Sequence, residues 1–474
     1  MCPSHPPLSQ NRRQPLRWSL LALACAASTA VSTAGAADLL QAWQAAEQHD
    51  RSHAVARAAH AAAQPRRYQA AALWRPNVAL SAGAGLGTHD NDVRGAQFSA
   101  PGMGTSNGVD FSTSVHGGTA TRWALQANQP LYNPQRRVQQ QQLSVSADLA
   151  DVQWQAAQQA LMLRTAQQYF EVALAQEALR VLGSQLAAVQ RTSDEVQERF
   201  TLGQLPITDT HEARARLSGL RAQQLAAQSG LDVKRRQLAD STGLSTAQLV
   251  VHLPTDSPPS TTPRTLDAWQ AQAATDNPAI RQQLLALDVA RLEADKHSRS
   301  ASATLDLVAQ AAQERLHGSG NFGSGARNKS TSAQVGVQLT VPLFTGGMRS
   351  AKQEEALRLL DAAAAQLDAT REQVAQQVHA AWLGLSVGRE RVEALAQALQ
   401  ASEARTDATQ LGHEVGDRTL LDLLNAQNDS ASARLALAQA RSQLLLERLR
   451  LAQLAGQLNE DTLRSVNQAL AATP

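Results

Sequence analysis

The residues of this chain that could do chemistry are few, and their spacing argues against catalysis. Gly318-Ser319-Gly320-Asn321-Phe322-Gly323 fits G-x-G-x-x-G, but a dinucleotide site needs that run between a strand and a helix whose N-terminus meets the pyrophosphate. Here it joins two strand-like stretches and reads as a hairpin loop, as does the polar region Asp90 to Asn107. His49, His53 and His60 have the spacing of one helical face and could ligate a metal, yet histidines on an exposed helix are far commoner than metal sites. No Ser/His/Asp or Cys/His grouping has an interpretable spacing. Asp209 and Asp422 each open a helix-like stretch, where an acid ordinarily serves the helix N-terminus. The expectation is no enzyme and no cofactor.

The surroundings of these residues point to an exported protein. Arg12, Arg13 and Arg17 precede an apolar run from Trp18 to Ala27, and Ala34-Gly35-Ala36 fits an A-x-A cleavage site, so residues 1–36 are expected to be a signal peptide. Cys2 and Cys25 both fall inside it, leaving a mature chain without thiols. The chain has 43 Lys and Arg against 41 Asp and Glu, a balance that offers nothing to nucleic acid. Later stretches never reach the ~18 apolar residues of a spanning helix. A mature form held in a membrane would therefore need a closed β-barrel.

Two halves share one plan. Ala42-Trp43-Gln44 recurs as Ala268-Trp269-Gln270, and Asp50 as Asp276. Farther on, Pro130, Gly203 and Asp209 recur as Pro342, Gly416 and Asp422. Each half runs helix, two strands, a very long helix, helix. The first spans 37–254, with strands over about 77–129, a long helix over 134–202 and a helix over 207–245. The second spans 265–460, with strands over about 303–343, a long helix over 348–412 and a helix over 418–457. A Pro/Ser/Thr-rich linker at 255–264 separates them, and 461–474 is a C-terminal tail.

Apolar residues from Leu149 through Val152, Ala156, Ala160, Leu163, Ala166 and Phe170 step by three and four, and Leu357 to Leu385 repeats the rhythm. Continuous helix there would be on the order of 100 Å long and must associate laterally. The strands have period two: Val335, Val337, Leu339 and Val341 alternate with Gln334, Gly336, Gln338 and Thr340. Lipid outside and water inside would produce that pattern, and so would an ordinary half-buried antiparallel sheet. The export signal and the lack of a partner core favour the barrel. Four strands cannot close one, so several protomers must contribute.

With these motifs in order and duplicated, the chain resembles the TolC family of outer-membrane factors over nearly all its mature length. The matching stretches are Asp38 to Ala46, the joints Gln129-Pro130-Leu131-Tyr132-Asn133 and Val341 to Gly347, the turns Phe200 to Asp209 and Val415 to Leu424, and the close Leu449 to Leu458. The resemblance implies a mixed α + β membrane protein of the Gram-negative outer membrane. Four strands per protomer would complete a trimeric twelve-stranded β-barrel in outer-membrane lipid. Long coiled-coil helices would form a periplasmic α-helical barrel. Its partners would be a periplasmic adaptor, an inner-membrane ABC transporter and a secreted protein cargo.

By position, the resemblance places a periplasmic gate at Thr208, Asp209, His413, Arg418, Asp422 and Asn425, and strand-to-helix joints at Pro130 and Pro342. His413 stands where the best-known member has tyrosine, and Asn425 where it has a second aspartate. A gate less selective for cations and sensitive to pH is expected from those departures. The non-lipidated start and the opening motif look more like toxin-exporting type I secretion ducts than like drug-efflux ducts of the same fold. A periplasmic coiled-coil adaptor or scaffold would share the helical patterns.

Overall fold

The computed structural model describes residues 38–246, 251–254, 264–321 and 323–471. The expected signal peptide, residues 255–263 of the expected linker and Phe322 lie outside the described residues.

The chain begins with three short helices, α1 (Leu39–His49), α2 (Arg51–Ala61) and α3 (Ala63–Ala72). Asp38 caps α1 by accepting from the Gln41 amide at 2.7 Å, and Asp50 caps α2 by accepting from the His53 amide at 2.7 Å. Strands β1 (Asn77–Ala100) and β2 (Gly104–Tyr132) follow, then α4 (Pro134–Thr201) and α5 (Ile207–Thr242). The second pass gives α6 (Leu266–Asp276), α7 (Pro278–Ser298), β3 (Thr304–Gly320), β4 (Gly323–Thr340), α8 (Met348–Glu414) and α9 (Leu420–Leu454). The partner of Asp50 in this second pass is Asn277, one residue beyond Asp276. Both are N-caps with nearly the same backbone, φ −63°, ψ 122° and φ −60°, ψ 124°. Asp and Asn serve that cap equally, so the geometry repeats where the residue type does not.

Helices α4 and α8 have 68 and 67 residues, about 100 Å each at 1.5 Å per residue. Asn133 caps the first, accepting from the Arg136 amide at 2.9 Å, with Pro134 in the first turn. The second starts at Gly347 with no side-chain cap. Helices α5 and α9, with 36 and 35 residues, return along α4 and α8, and α3 and α7 also pack on the long helices. The largest core joins α1, mid-α4, α5, α9 and the C-terminal segment through Leu39, Tyr169, Phe170, Leu238, Leu445 and Leu463. That C-terminal segment, expected as a tail, is the helix α10 (Glu460–Ala471). Leu463, Val466 and Leu470 fall on one face of it and are buried.

The four strands form one antiparallel sheet in the order β1-β2-β3-β4. The register stacks Leu80, Leu125, Ala311 and Ala333 on one face, beside Val78, Ala127, Ala309 and Val335. Val78, Leu80, Val335 and Leu339 are 62%, 71%, 75% and 65% exposed, so this face covers no core, which sets aside the half-buried sheet. The opposite face carries Gln126, Gln310 and Gln334 in one row, with the Gln334 amide donating to Gln310 Oε1 at 3.3 Å. A polar second face confirms the expected alternation.

The loop expected over Asp90–Asn107 is instead β-ladder up to a turn at residues 101–103. It is interrupted only by register shifts at Val93/Ala96 and Ala96/Phe98, with a further one just before it at Gly87/His89. Thr105, Val109, Phe111 and Thr113 supply the β-forming residues that the Asp/Asn-rich strand lacks. Because β3 ends opposite Val115, this hairpin projects past β3 and β4 by about 35 Å, at ~3.3 Å per residue.

Candidate functional site

Each long helix ends in a tight turn that sends the chain back along it. Leu202 closes α4; Gly203 then takes φ +72°, and the Gln204 amide donates to the Arg199 carbonyl at 2.9 Å. Val415 closes α8; Gly416 takes φ +84°, and the Asp417 amide donates to the Gly412 carbonyl at 2.8 Å. Both are the left-handed cap that satisfies a helix's last carbonyls, and glycine adopts that φ without steric cost.

At the first tip, Thr208 and Asp209 lie in the opening turn of α5, and the Thr208 hydroxyl donates to Asp209 Oδ1 at 3.3 Å. At the second, Asp422 accepts from the Thr419 hydroxyl at 2.7 Å and from the Thr419 amide at 3.1 Å. Thr419 Oγ1 in turn accepts from the Asp422 amide at 3.1 Å, completing a capping box. The Thr419 hydrogen bonds, followed by the Arg418 and Arg405 charges, hold the Asp422 carboxyl below the usual carboxylate range. His413 Nδ1 lies 3.1 Å from the Arg418 carbonyl. A carbonyl can only accept, so that nitrogen carries the proton. Arg418 is exposed, its stem over Gly412, where an added Cβ would come within 2.7 Å of it. Asn425 is exposed one turn beyond Asp422.

The two tips are brought together by apolar packing. Leu420 and Leu424 of α9 meet Val189 and Val196 of α4 and Ala213, Leu217 and Leu220 of α5. Among the described residues, no hydrogen bond or ion pair within one protomer joins Thr208 or Asp209 to His413, Arg418, Asp422 or Asn425. Sequence reasoning passed over Thr419, although its T-x-x-D spacing ahead of an apolar run is a capping-box signature. It also passed over Arg405, which pairs with Asp429 across α8 and α9 at 3.0 Å.

The joint residues lie at the other end of the long helices. Pro130 is buried within β2, opposite Asp306, beside a register shift that accommodates its missing amide. Pro342 is the second residue after β4, following Val341. The three histidines do not share a helix, because Asp50 breaks the chain between His49 and His53. His60 pairs with Asp151 at 2.8 Å, and His53 is buried against the Trp154 ring.

Residues 42–244 and 269–457 match the family described as outer membrane efflux protein. The chain belongs to this outer membrane efflux protein family. The two matched blocks correspond to the two halves, each ending just after α5 or α9. Among relatives in the family, outer membrane protein TolC of Escherichia coli (strain K12) is 28% identical over 415 residues, 85% of this chain and 84% of TolC. Alkaline protease secretion protein AprF of Pseudomonas aeruginosa is 26% identical over 344 residues, 72% of this chain and 71% of AprF. Protein CyaE of Bordetella pertussis is 26% identical over 395 residues, 83% of this chain and 78% of CyaE. In fold, the Campylobacter jejuni CmeC outer membrane channel superposes with a TM-score of 0.70 at 16% identity, covering 91% of this chain and 89% of that one. The efflux-family chain is thus an outer-membrane channel protein with a large periplasmic helical part, of a family of channels rather than enzymes. A periplasmic adaptor or scaffold is set aside.

Proposed function

We propose that this chain is the outer-membrane duct of a tripartite exporter, with three copies closing one twelve-stranded barrel. The observation that carries this reading is the sheet itself. It is apolar and exposed on one face and polar on the other, and among the described residues β1 and β4 have no partner on their outer edges. An unpaired edge is untenable in lipid, and three copies of four strands give an even, closed barrel. The channel delivers a secreted protein, of the toxin class, handed on by an inner-membrane ABC transporter through a periplasmic adaptor. The name of AprF, a protease secretion protein, supports a protein cargo. Small-molecule efflux is the second reading, favoured by the description of the family.

In this reading the two hairpin tips, repeated three times around the axis, form the periplasmic gate. Thr208, Asp209, His413, Arg418, Asp422 and Asn425 are its polar contacts, made between protomers. The test is single-channel conductance of the purified protein in a planar bilayer, with Asp422→Ala beside it. Small steady openings that widen in the variant support the duct and the gate together. Conduction unchanged by the variant removes the gate and keeps the duct. Silence from well-folded protein of both kinds removes the duct.

A further inference from the structure

We infer that the lipid-facing side of β3 and β4 carries a binding site for the phosphates of an anionic lipid in the outer leaflet. The inference rests on the barrel orientation proposed above.

Following the register outward from the helices, the exposed face of β3 reads Leu305, Leu307, Ala309, Ala311, Gln313, Arg315, His317. That of β4 reads Leu339, Val337, Val335, Ala333, Thr331, Lys329, Arg327. Arg315 lies directly opposite Lys329, and His317 opposite Arg327, so four basic side chains make a two-by-two block on adjacent strands. All four are exposed. On β2 the same rows hold Thr121 beside Arg315 and Thr119 beside His317, two exposed hydroxyls. Like charges set opposite each other are destabilising unless something neutralises them.

Nothing among the described residues of the protomer does so. Among the described residues, no acid lies on this face of β3 or β4 or in the facing stretch Thr119–Ala127 of β2. None of Arg315, Arg327 or Lys329 has a carboxylate within ion-pair distance. Glu314 points to the opposite face, where it sits across from Arg122. Arg315 Nε donates only to Gln313 Oε1, at 3.1 Å.

The position of the block on the barrel selects the occupant. From Leu305 to Arg315, and from Leu339 to Lys329, the chain advances ten residues. At ~3.3 Å per residue and a tilt of ~40°, that is about 25 Å along the membrane normal, the height of a barrel's apolar band. The block therefore sits just past the outer rim of that band, at the headgroup level. Trp123, opposite Gln313, lies one step inside it and is 42% exposed, where amphipathic rings favour the interface. Two guanidinium groups and an ammonium can only donate, and the two hydroxyls can add donors of their own, which fits phosphate oxygens. A zwitterionic headgroup would bring a cation into the same block.

The experiment is native mass spectrometry of the full-length protein, extracted from membranes in detergent and titrated with bisphosphorylated lipid A or with its dephosphorylated form. Insertion is scored separately, as conductance in phosphatidylcholine bilayers. Wild type should bind the phosphorylated lipid about tenfold more tightly than the dephosphorylated one, as expected for two or three charge-assisted contacts. The triple variant Arg315→Gln, Arg327→Gln, Lys329→Gln should lose that preference and still conduct. Equal binding of both lipids by conducting wild type overturns the site and leaves the barrel standing. A preference retained by a conducting triple variant also overturns it. Wild type that does not insert removes the barrel orientation and the site with it. Should the triple variant fail to assemble, the wild-type comparison of the two lipids decides alone.

Discussion

At the second tip, Asp422 is both half of a capping box and the proposed gate carboxylate, and the two roles separate by mutation. Thr419→Ala removes the hydroxyl that bonds both ways with Asp422, costing about 1 kcal/mol of helix stability, but leaves the carboxylate. Widening of the single-channel conductance is expected with Asp422→Ala and not with Thr419→Ala; equal widening in both would make the cap responsible. Because the folded-state pKa of Asp422 is depressed, its contribution is complete above the unfolded value of ~3.9 and is lost as pH falls through the lower folded value. Conductance attributable to Asp422 is therefore expected to be flat from pH 5 to 8. His53 works in the opposite range. It is 2% exposed, with neither ring nitrogen hydrogen-bonded, and its ring lies 4.7 Å from that of Trp154. Burial pushes its pKa down, helped by Arg57 and Arg164 and opposed by Glu47 and Asp50. An unfolded chain then takes up a proton that the folded one refuses. Stability is complete above the unfolded value of ~6.5 and falls as pH drops toward the folded value. Thermal unfolding at pH 7.5 and 5 should show a loss on acidification that His53→Phe reduces.

Among the elements, the long helices and their returns were readable because period and proline both mark them. Leu149 to Phe170 keeps the helical step, and no proline interrupts 135–205. The outer hairpin was not readable, since Asp90, Asn91, Asp92 and Gly95 have turn chemistry and the ladder comes from their partners on β2. The step between α1 and α2 was hidden for a different reason: nothing in the apolar pattern around Asp50 marks a change of direction, only a cap does. That corner also explains a prediction about α5. Gly243 ends it at φ +73°, and a Cβ there would stand 2.5 Å from the His49 ring, itself tied to the Ala45 carbonyl at 3.1 Å. Gly243→Ala should cost about 2 kcal/mol or more, from the left-handed backbone and the clash together. The check is the midpoint of thermal unfolding; a shift no larger than that of an exposed alanine substitution on α5 would show that the His49 ring moves aside freely.

For the molecule as a whole, the two-sided sheet sets the strongest contrast. Val335→Arg places a charge on the lipid-facing side and is expected to cost about 2–4 kcal/mol near the bilayer midplane, whereas Gln334→Arg, on the polar side, should insert normally. Recovery of each variant in outer-membrane fractions decides it, and equal recovery would mean that the exposed apolar face does not meet lipid. The alternation behind this was legible in Val335 to Val341, and so was the need for more than one copy. The contacts between copies were not, because the proposed gate residues of one tip find no partners on the other tip of the same protomer and a single sequence does not say which neighbour supplies them. One asymmetry of the two halves acts at this scale. The first long helix leaves the sheet clamped by Asn133 and Pro134, and the second leaves it with no side-chain clamp at Gly347. A rod of about 100 Å anchored at one end is a lever, and one degree of swing at its base carries the far end about 1.7 Å. The anchorage without a capping side chain belongs to α8, so a torque at the rim of the sheet is expected to swing the arm that ends beside Asp422 more than its counterpart.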